Sequence, residues 1–144
     1  MKILVGFDGS EGSKKALKMA RSLIYTCVVG EITVVHVQRK SPIKYASYEE
    51  VLDISDMDQT LKEVFDEAYK ESQESIKYLE NAKVELKIIK GDNPAQVLAD
   101  YAEDRAFDLI VVGARGASGL NKWRPGSVSK GIVDNCCTSV LVAK

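Results

Sequence analysis

This chain of 144 residues has few of the residues that form disulfides or coordinate zinc, with three cysteines and one histidine, and it has only three prolines. The cysteines form no CxxC pair and their number is odd, which argues against a disulfide framework and against a zinc site. No apolar run approaches the roughly 18 residues of a membrane helix, and the apolar start breaks at Asp8-Gly9, too early for a signal peptide. We therefore expect a cytoplasmic protein with buried, reduced thiols.

The chain also lacks an excess of either charge. Lys plus Arg number 20 and Asp plus Glu number 21, so the net charge of -1 gives no general attraction for nucleic acid. Apolar residues make up 45% and charged residues 28%, which is typical of a globular protein. The length suits a single domain, and we find no linker or repeat, so we predict one domain over residues 1–144.

Short apolar runs alternate with segments of helical period. We predict five strands, at 3–7, 31–37, 84–90, 108–113 and 139–143, and helices from the cap at Ser10 or Ser13 to Gly30, over about 59–79, over about 94–105 and from 127. The first helix has one apolar stripe, composed of Ala16, Leu17, Ala20, Leu23, Ile24 and Cys27. Alternation of strands and helices predicts a doubly wound α/β sheet. The fourth strand is almost wholly apolar, so it should be central and covered on both faces.

The stretch "GARGASGLNKWRPGSVS" follows that fourth strand and carries the strongest functional signal. Ligands of open α/β sheets bind outside the carboxyl ends of the strands. Glycines such as Gly113 let backbone N–H groups approach a ligand, and Gly126-Ser127 opens a helix whose first N–H groups suit an anion. Residues 113–133 hold four Lys or Arg and no Asp or Glu, a sum of +4, and Arg115 lies inside the first glycine pair.

Phosphate binding is therefore the favoured interpretation of this loop, and a basic surface loop that is glycine-rich only for turning is the alternative. The loop is not a P-loop, because no glycine stands next to its lysine and no Ser or Thr follows it, and the first turn does not fit GxGxxG.

The spacing Gly113-x2-Gly116-x9-Gly126-Ser127 resembles the G-2x-G-9x-G-[S/T] signature of the ATP-binding branch of the universal stress protein family. The resemblance extends over essentially the whole chain, from "KILVGFDGSEGSKKAL" and "EITVVHV" through "IIKGDNPAQVLADYA" to "SVLVAK". It implies a five-stranded parallel sheet in the order 3-2-1-4-5 with helices on both faces.

The resemblance also implies a binding site for ATP or another adenine nucleotide. Asp8 would contact the nucleotide and help to hold Mg or Mn, and the backbone of Val37 would meet adenine. The remaining residues would hold the ribose and phosphates: Gly113, Gly116, Gly126, Ser127 and Ser129, with Arg115 as a further phosphate contact. Each has a structural alternative, since Asp8 can form a plain turn and the two serines can cap a helix. His36 we interpret as half-buried and structural.

The functions that remain open belong to three classes. The resemblance implies a stress-response or regulatory protein that holds ATP with little or no hydrolysis and forms a homodimer through its last strand. No base or nucleophile is convincing, so an enzyme would be at most a slow ATPase or a nucleotide-transfer relative. A nucleotide-free dimeric interaction protein is the third possibility.

Overall fold

The computed structural model describes residues 1–38, 63–67, 70, 83–115 and 126–144. The strands are β1 (Lys2–Gly6), β2 (Glu31–Gln38), β3 (Lys83–Lys90), β4 (Leu109–Gly113) and β5 (Ser139–Ala143). The helices are α1 (Glu11–Ser22), α2, which is described at 63–67, α3 (Pro94–Asp104) and α4 (Ser127–Asn135). The rest of the helix predicted over 59–79 lies outside the described residues, apart from residue 70. None of the described helices is long and apolar enough to cross a membrane.

All five strands are parallel and lie in the order β3-β2-β1-β4-β5, which confirms the predicted fold. The chain winds outward from β1 through β2 to β3, and then returns to the other side of β1 for β4 and β5. The winding direction therefore reverses between β1 and β4. In a doubly wound sheet this is where the connections leave in opposite directions and open a crevice above the strand ends.

Each face of the sheet is covered by its own pair of helices. The apolar side chains of α1 and the α2 residue Phe65 pack on one face, against strand residues such as Val5 and Val111. Helices α3 and α4 cover the other face, where Ile110 and Val112 lie. Consecutive residues of β4 are thus buried on opposite faces, as predicted for a central strand.

Helix α1 begins at a side-chain cap and ends earlier than predicted. The Ser10 hydroxyl accepts from the Ser13 N–H at 3.3 Å, which satisfies one of the unpaired first-turn donors. The helix ends at Ser22 and tightens into a 3-10 turn at Leu23–Tyr25, so the predicted extension to Gly30 is wrong. Cys27 lies beyond this turn and is exposed, so it is not part of the apolar stripe of the helix.

The prediction of buried thiols is correspondingly wrong for two of the three cysteines. Cys27 and Cys137 are exposed, while Cys136 is half-buried and packs against the α3–α4 side of the core. All three are free thiols.

Helices α3 and α4 approach closely through a glycine. A Cβ built on Gly131 would lie 2.8 Å from the Ala95 Cβ, closer than real Cβ atoms come. Gly131 weakens α4 as an isolated helix, yet its lack of a side chain lets the two helices meet. The first turns of both helices are thereby held side by side above the strand ends.

Candidate functional site

A cavity of about 410 Å³ opens above the carboxyl ends of β1, β2 and β4, flanked by the first turns of α3 and α4. Its size lies within the range of small-molecule sites. Seven of the eight residues predicted for the site line it: Asp8, Val37, Gly113, Arg115, Gly126, Ser127 and Ser129. The eighth, Gly116, lies outside the described residues. Residues more than a hundred positions apart in sequence therefore surround one space.

The apolar walls of this cavity were not predicted. Pro94 and Leu98 of α3, Val112 of β4 and Val128 of α4 line it together with Phe7. A sequence signal exists for Pro94, because it opens a helix directly after the carboxyl end of a strand. Leu98 follows one turn later on the same helix face. Apolar walls with a few polar groups are typical of small-molecule sites.

In the part of the chain that the structure describes, no side chain caps the first turn of α4. Its cap position is Gly126, whereas α1 and α3 are capped by Ser10 and Asn93. The Gly126 N–H donates to the Ala114 carbonyl at 2.7 Å, so that amide is already used. The next three N–H groups, from Ser127 to Ser129, precede the first donor of the helical ladder, Lys130, which bonds to the Gly126 carbonyl. The positive end of α4 therefore lies at the cavity, and none of the residues that the structure describes caps these donors.

Ser129 closes the base of the glycine loop. Its side chain is buried, and its hydroxyl lies 3.0 Å from the Gly126 carbonyl oxygen and 3.3 Å from that of Ala114. One hydroxyl hydrogen serves these two acceptors, while the oxygen lone pairs can still accept. Together with the Gly126–Ala114 bond, this side chain links residues 114 and 126, which lie on either side of the part of the loop outside the described residues.

Asp8 follows β1 and is oriented by its own turn. Its Oδ1 accepts from the Ser10 N–H at 3.0 Å and from the Ser10 hydroxyl at 2.5 Å. Among the described residues no group of three or more His, Cys, Asp or Glu could hold a metal ion. A single carboxylate fits Mg²⁺ held mainly by a ligand's phosphates, which is how this ion commonly binds.

Gly113 has a packing role that the sequence did not reveal. A Cβ at Gly113 would lie 2.3 Å from the carbonyl carbon of Gly12, and a Cβ at Gly12 would lie 2.2 Å from the Arg115 carbonyl oxygen. The start of α1 thus presses directly on the backbone that leaves β4. Two glycines meet here because neither segment could approach the other with a side chain between them.

Two further polar side chains border the cavity. Arg115 brings a positive charge, and the Ser10 hydroxyl lies 3.4 Å from its carbonyl oxygen. His36 is half-buried, as predicted, and its Nδ1 lies 2.9 Å from the Phe7 carbonyl oxygen. The polar lining therefore combines one carboxylate, one guanidinium, one imidazole and the hydroxyls of the α1 and α4 first turns.

Known proteins resemble this chain over its full length. The model of the universal stress protein family matches residues 1–144. Universal stress protein YxiE of Bacillus subtilis is 31% identical over 151 residues, covering 99% of this chain and 98% of its own. A universal stress protein from Archaeoglobus fulgidus, solved in complex with dAMP, has a TM-score of 0.68 at 20% identity and covers 100% of this chain and 98% of its own.

A universal stress protein solved in complex with cAMP has a TM-score of 0.67 at 20% identity, covering 99% of this chain and 94% of its own. At such identities these two structures establish likeness of fold. The family match over the full length identifies the chain itself, which belongs to the universal stress protein family.

Proposed function

We propose that this protein binds an adenine nucleotide in the cavity, with the phosphates at the start of α4 and the base toward Val37. The observation that carries the proposal is the first turn of α4, which no described side chain caps and which faces a cavity lined by Arg115 and by apolar walls. Uncapped amides and a helix dipole favour an anion. The dAMP and cAMP complexes of family members support an adenine ligand.

We further propose that ATP is the physiological ligand, held with Mg²⁺ or Mn²⁺ and hydrolysed slowly or not at all. Asp8 supplies one carboxylate for the cation, while Arg115 offers charge to the phosphates. Rapid hydrolysis needs a group that positions or deprotonates water. Asp8 Oδ1 is engaged by Ser10 and His36 Nδ1 by Phe7, so neither atom is placed for that role. The protein would then act as a cytoplasmic regulatory stress protein that reports nucleotide occupancy.

The same proposal includes a homodimer through β5. This strand lies at one edge of the sheet, and its central residues are half-buried. The Ala143 carbonyl accepts from the Ala114 N–H, on the β4 side. Since backbone groups alternate along a strand, the N–H and C=O of Val142 point outward from the sheet. An apolar edge with outward backbone donors and acceptors is suited to pairing with a second copy.

The direct test is the identity of any nucleotide that the purified protein carries. We expect denaturation to release an adenine nucleotide, identified by mass. We also expect Mg-ATP at 100 times its Kd to stabilise the fold by about 2.7 kcal/mol, a rise in Tm of roughly 5–10 °C for a chain of this size. A protein that releases nothing and is not stabilised by ATP, AMP or cAMP would be a nucleotide-free interaction protein. Turnover abolished by Asp8→Ala would instead indicate an enzyme.

A matched pair of substitutions at the first residue of α4 tests the phosphate position. Gly126 already has the extended backbone, φ −64° and ψ 160°, that a residue before proline requires. Ser127→Pro therefore preserves the helix start while it removes one N–H and the hydroxyl. Ser127→Ala removes the hydroxyl alone. We expect Ser127→Pro to weaken ATP binding about tenfold more than Ser127→Ala, since hydrogen bonds to charged groups contribute about 1.5–3 kcal/mol. Equal affinities would place the phosphates elsewhere.

A further inference from the structure

Strand β2 extends beyond its neighbour β1 at the cavity. The paired residues end at Gly6 and Val35 on the β1 side, while β2 continues to Gln38 and remains paired with β3 as far as Lys90. His36 and Val37 therefore have β3 on one side and line the cavity. What happens to the backbone groups on the cavity side depends on how the ladder between β1 and β2 ends.

The ladder is ended by a side chain. The Phe7 N–H donates to the Val35 carbonyl at 2.9 Å, and in a parallel ladder the next bond would run from the Val37 N–H to the Phe7 carbonyl. The Phe7 carbonyl oxygen instead lies 2.9 Å from His36 Nδ1. Because a carbonyl oxygen can only accept, Nδ1 carries the hydrogen in this bond. The bond is compatible with both the neutral ring and the imidazolium.

The backbone N–H and C=O of Val37 consequently face the cavity. The Gln38 carbonyl accepts from the Gly91 N–H, on the β3 side. By alternation along the strand, the N–H and C=O of Val37 point to the opposite side, beyond the end of β1. Among the described residues no hydrogen bond joins Val37 to Phe7, and Val37 lines the cavity.

We propose that His36 is a positioning residue for the nucleotide base. Its imidazole directs the Phe7 carbonyl oxygen toward itself rather than toward the Val37 N–H, and so leaves the Val37 N–H and C=O for a ligand. A donor and an acceptor side by side match a heteroaromatic edge that carries a ring nitrogen next to an amino group, as adenine does. This inference rests on the proposed nucleotide function and adds the residue that keeps the base subsite open.

Amide hydrogen exchange of the nucleotide-free protein tests the first step without any ligand. We expect the Val37 amide to exchange on the order of 100-fold faster than the Val35 amide, which lies within the paired part of β2. Addition of an adenine nucleotide should slow the Val37 amide selectively. If Val37 in the nucleotide-free wild type is as protected as Val35, the ladder continues past Val35 and the inference is overturned.

Two substitutions at His36 test its role. His36→Leu removes the donor, so the Val37 N–H can bond to Phe7 and its exchange should slow at least tenfold. AMP and ATP binding should weaken about tenfold, as expected for loss of a hydrogen bond to the base. His36→Asn keeps an N–H donor near the position of Nδ1 and should retain wild-type exchange and affinity.

Two results would contradict the positioning role. One is an unchanged exchange rate of the Val37 amide in His36→Leu, and the other is a loss of nucleotide affinity in His36→Asn equal to that in His36→Leu. If His36→Leu does not fold, the wild type and His36→Asn still test the inference, because it requires the Val37 amide to exchange fast in both. A wild type that binds no nucleotide refutes the proposed function, whereas the exchange comparison would still judge whether His36 ends the ladder.

Discussion

At the scale of single residues, the site depends on two glycines that have no Cβ atom. Gly12 and Gly113 come from the first helix and the fourth strand, and their backbones touch where side chains would collide. The motif spacing predicted that Gly113 borders a ligand, and it does line the cavity. Its contact with Gly12 could not be predicted, because the spacing describes one loop while the constraint comes from a helix a hundred residues earlier.

We expect Gly113→Ala to destabilise the fold by more than about 2 kcal/mol, since backbone atoms on both sides must shift to admit a methyl group. Gly30→Ala is the matched control, because a Cβ there would meet nothing within 4 Å. It should change the free energy of unfolding by less than about 0.5 kcal/mol. Urea denaturation of both variants measures the difference, and a Gly113→Ala as stable as Gly30→Ala would show that the contact is loose.

At the scale of elements, local signals predicted the starts of helices better than their ends. Ser10, Asn93 and Pro94 mark the beginnings of α1 and α3 as expected. The end of α3, predicted at about Arg105 and found at Asp104, has a feature that the sequence did not show, because Ala106 takes a left-handed φ of 52° where glycine is usual. The Phe107 N–H bonds to the Ala102 carbonyl there, and the Phe107 ring lies against Tyr101. This tertiary packing holds a conformation for which the sequence gives no local sign.

The capping of α1 makes a prediction of its own. We expect Ser10→Ala to lower the free energy of unfolding by about 1 kcal/mol, because it removes the acceptor for the Ser13 N–H. Ser22→Ala at the other end of α1 removes a hydroxyl that bonds only within its own helix turn, to Met19, and should be nearly neutral. Thermal unfolding of the two variants provides the comparison, and equal Tm values would mean that Ser10 does not cap the helix.

At the scale of the whole molecule, the alternation of strands and helices predicted the α/β class, and the family resemblance supplied the strand order. That order is set by contacts between distant segments, such as Ile3 with Leu109 and Leu109 with Ser139. No local pattern encodes such pairings. The apolar character of β4 did predict a central strand, since its burial on both faces requires neighbours on either side. The cavity walls follow from the order as well and were missed for the same reason.

The proposed dimer is tested at this scale by a proline at the outer edge. Val142→Pro removes an N–H that points away from β4, so the ladder between β4 and β5 keeps its bonds. We expect a wild-type dimer and a folded monomeric variant in sedimentation measurements. Leu141→Pro serves as contrast, because its N–H faces β4 and its loss should instead destabilise the fold. A Val142→Pro variant that remains a dimer would locate the interface elsewhere.

The exposed thiols lie on the far side of the molecule from the cavity. Cys27 precedes β2 and Cys137 precedes β5, so both stand at the amino edge of a parallel sheet whose carboxyl edge forms the cavity. A maleimide surface or a thiol-reactive dye would therefore attach at that edge and leave the opening turned toward solution. The native chain thus offers oriented immobilisation for affinity measurements without an engineered attachment point.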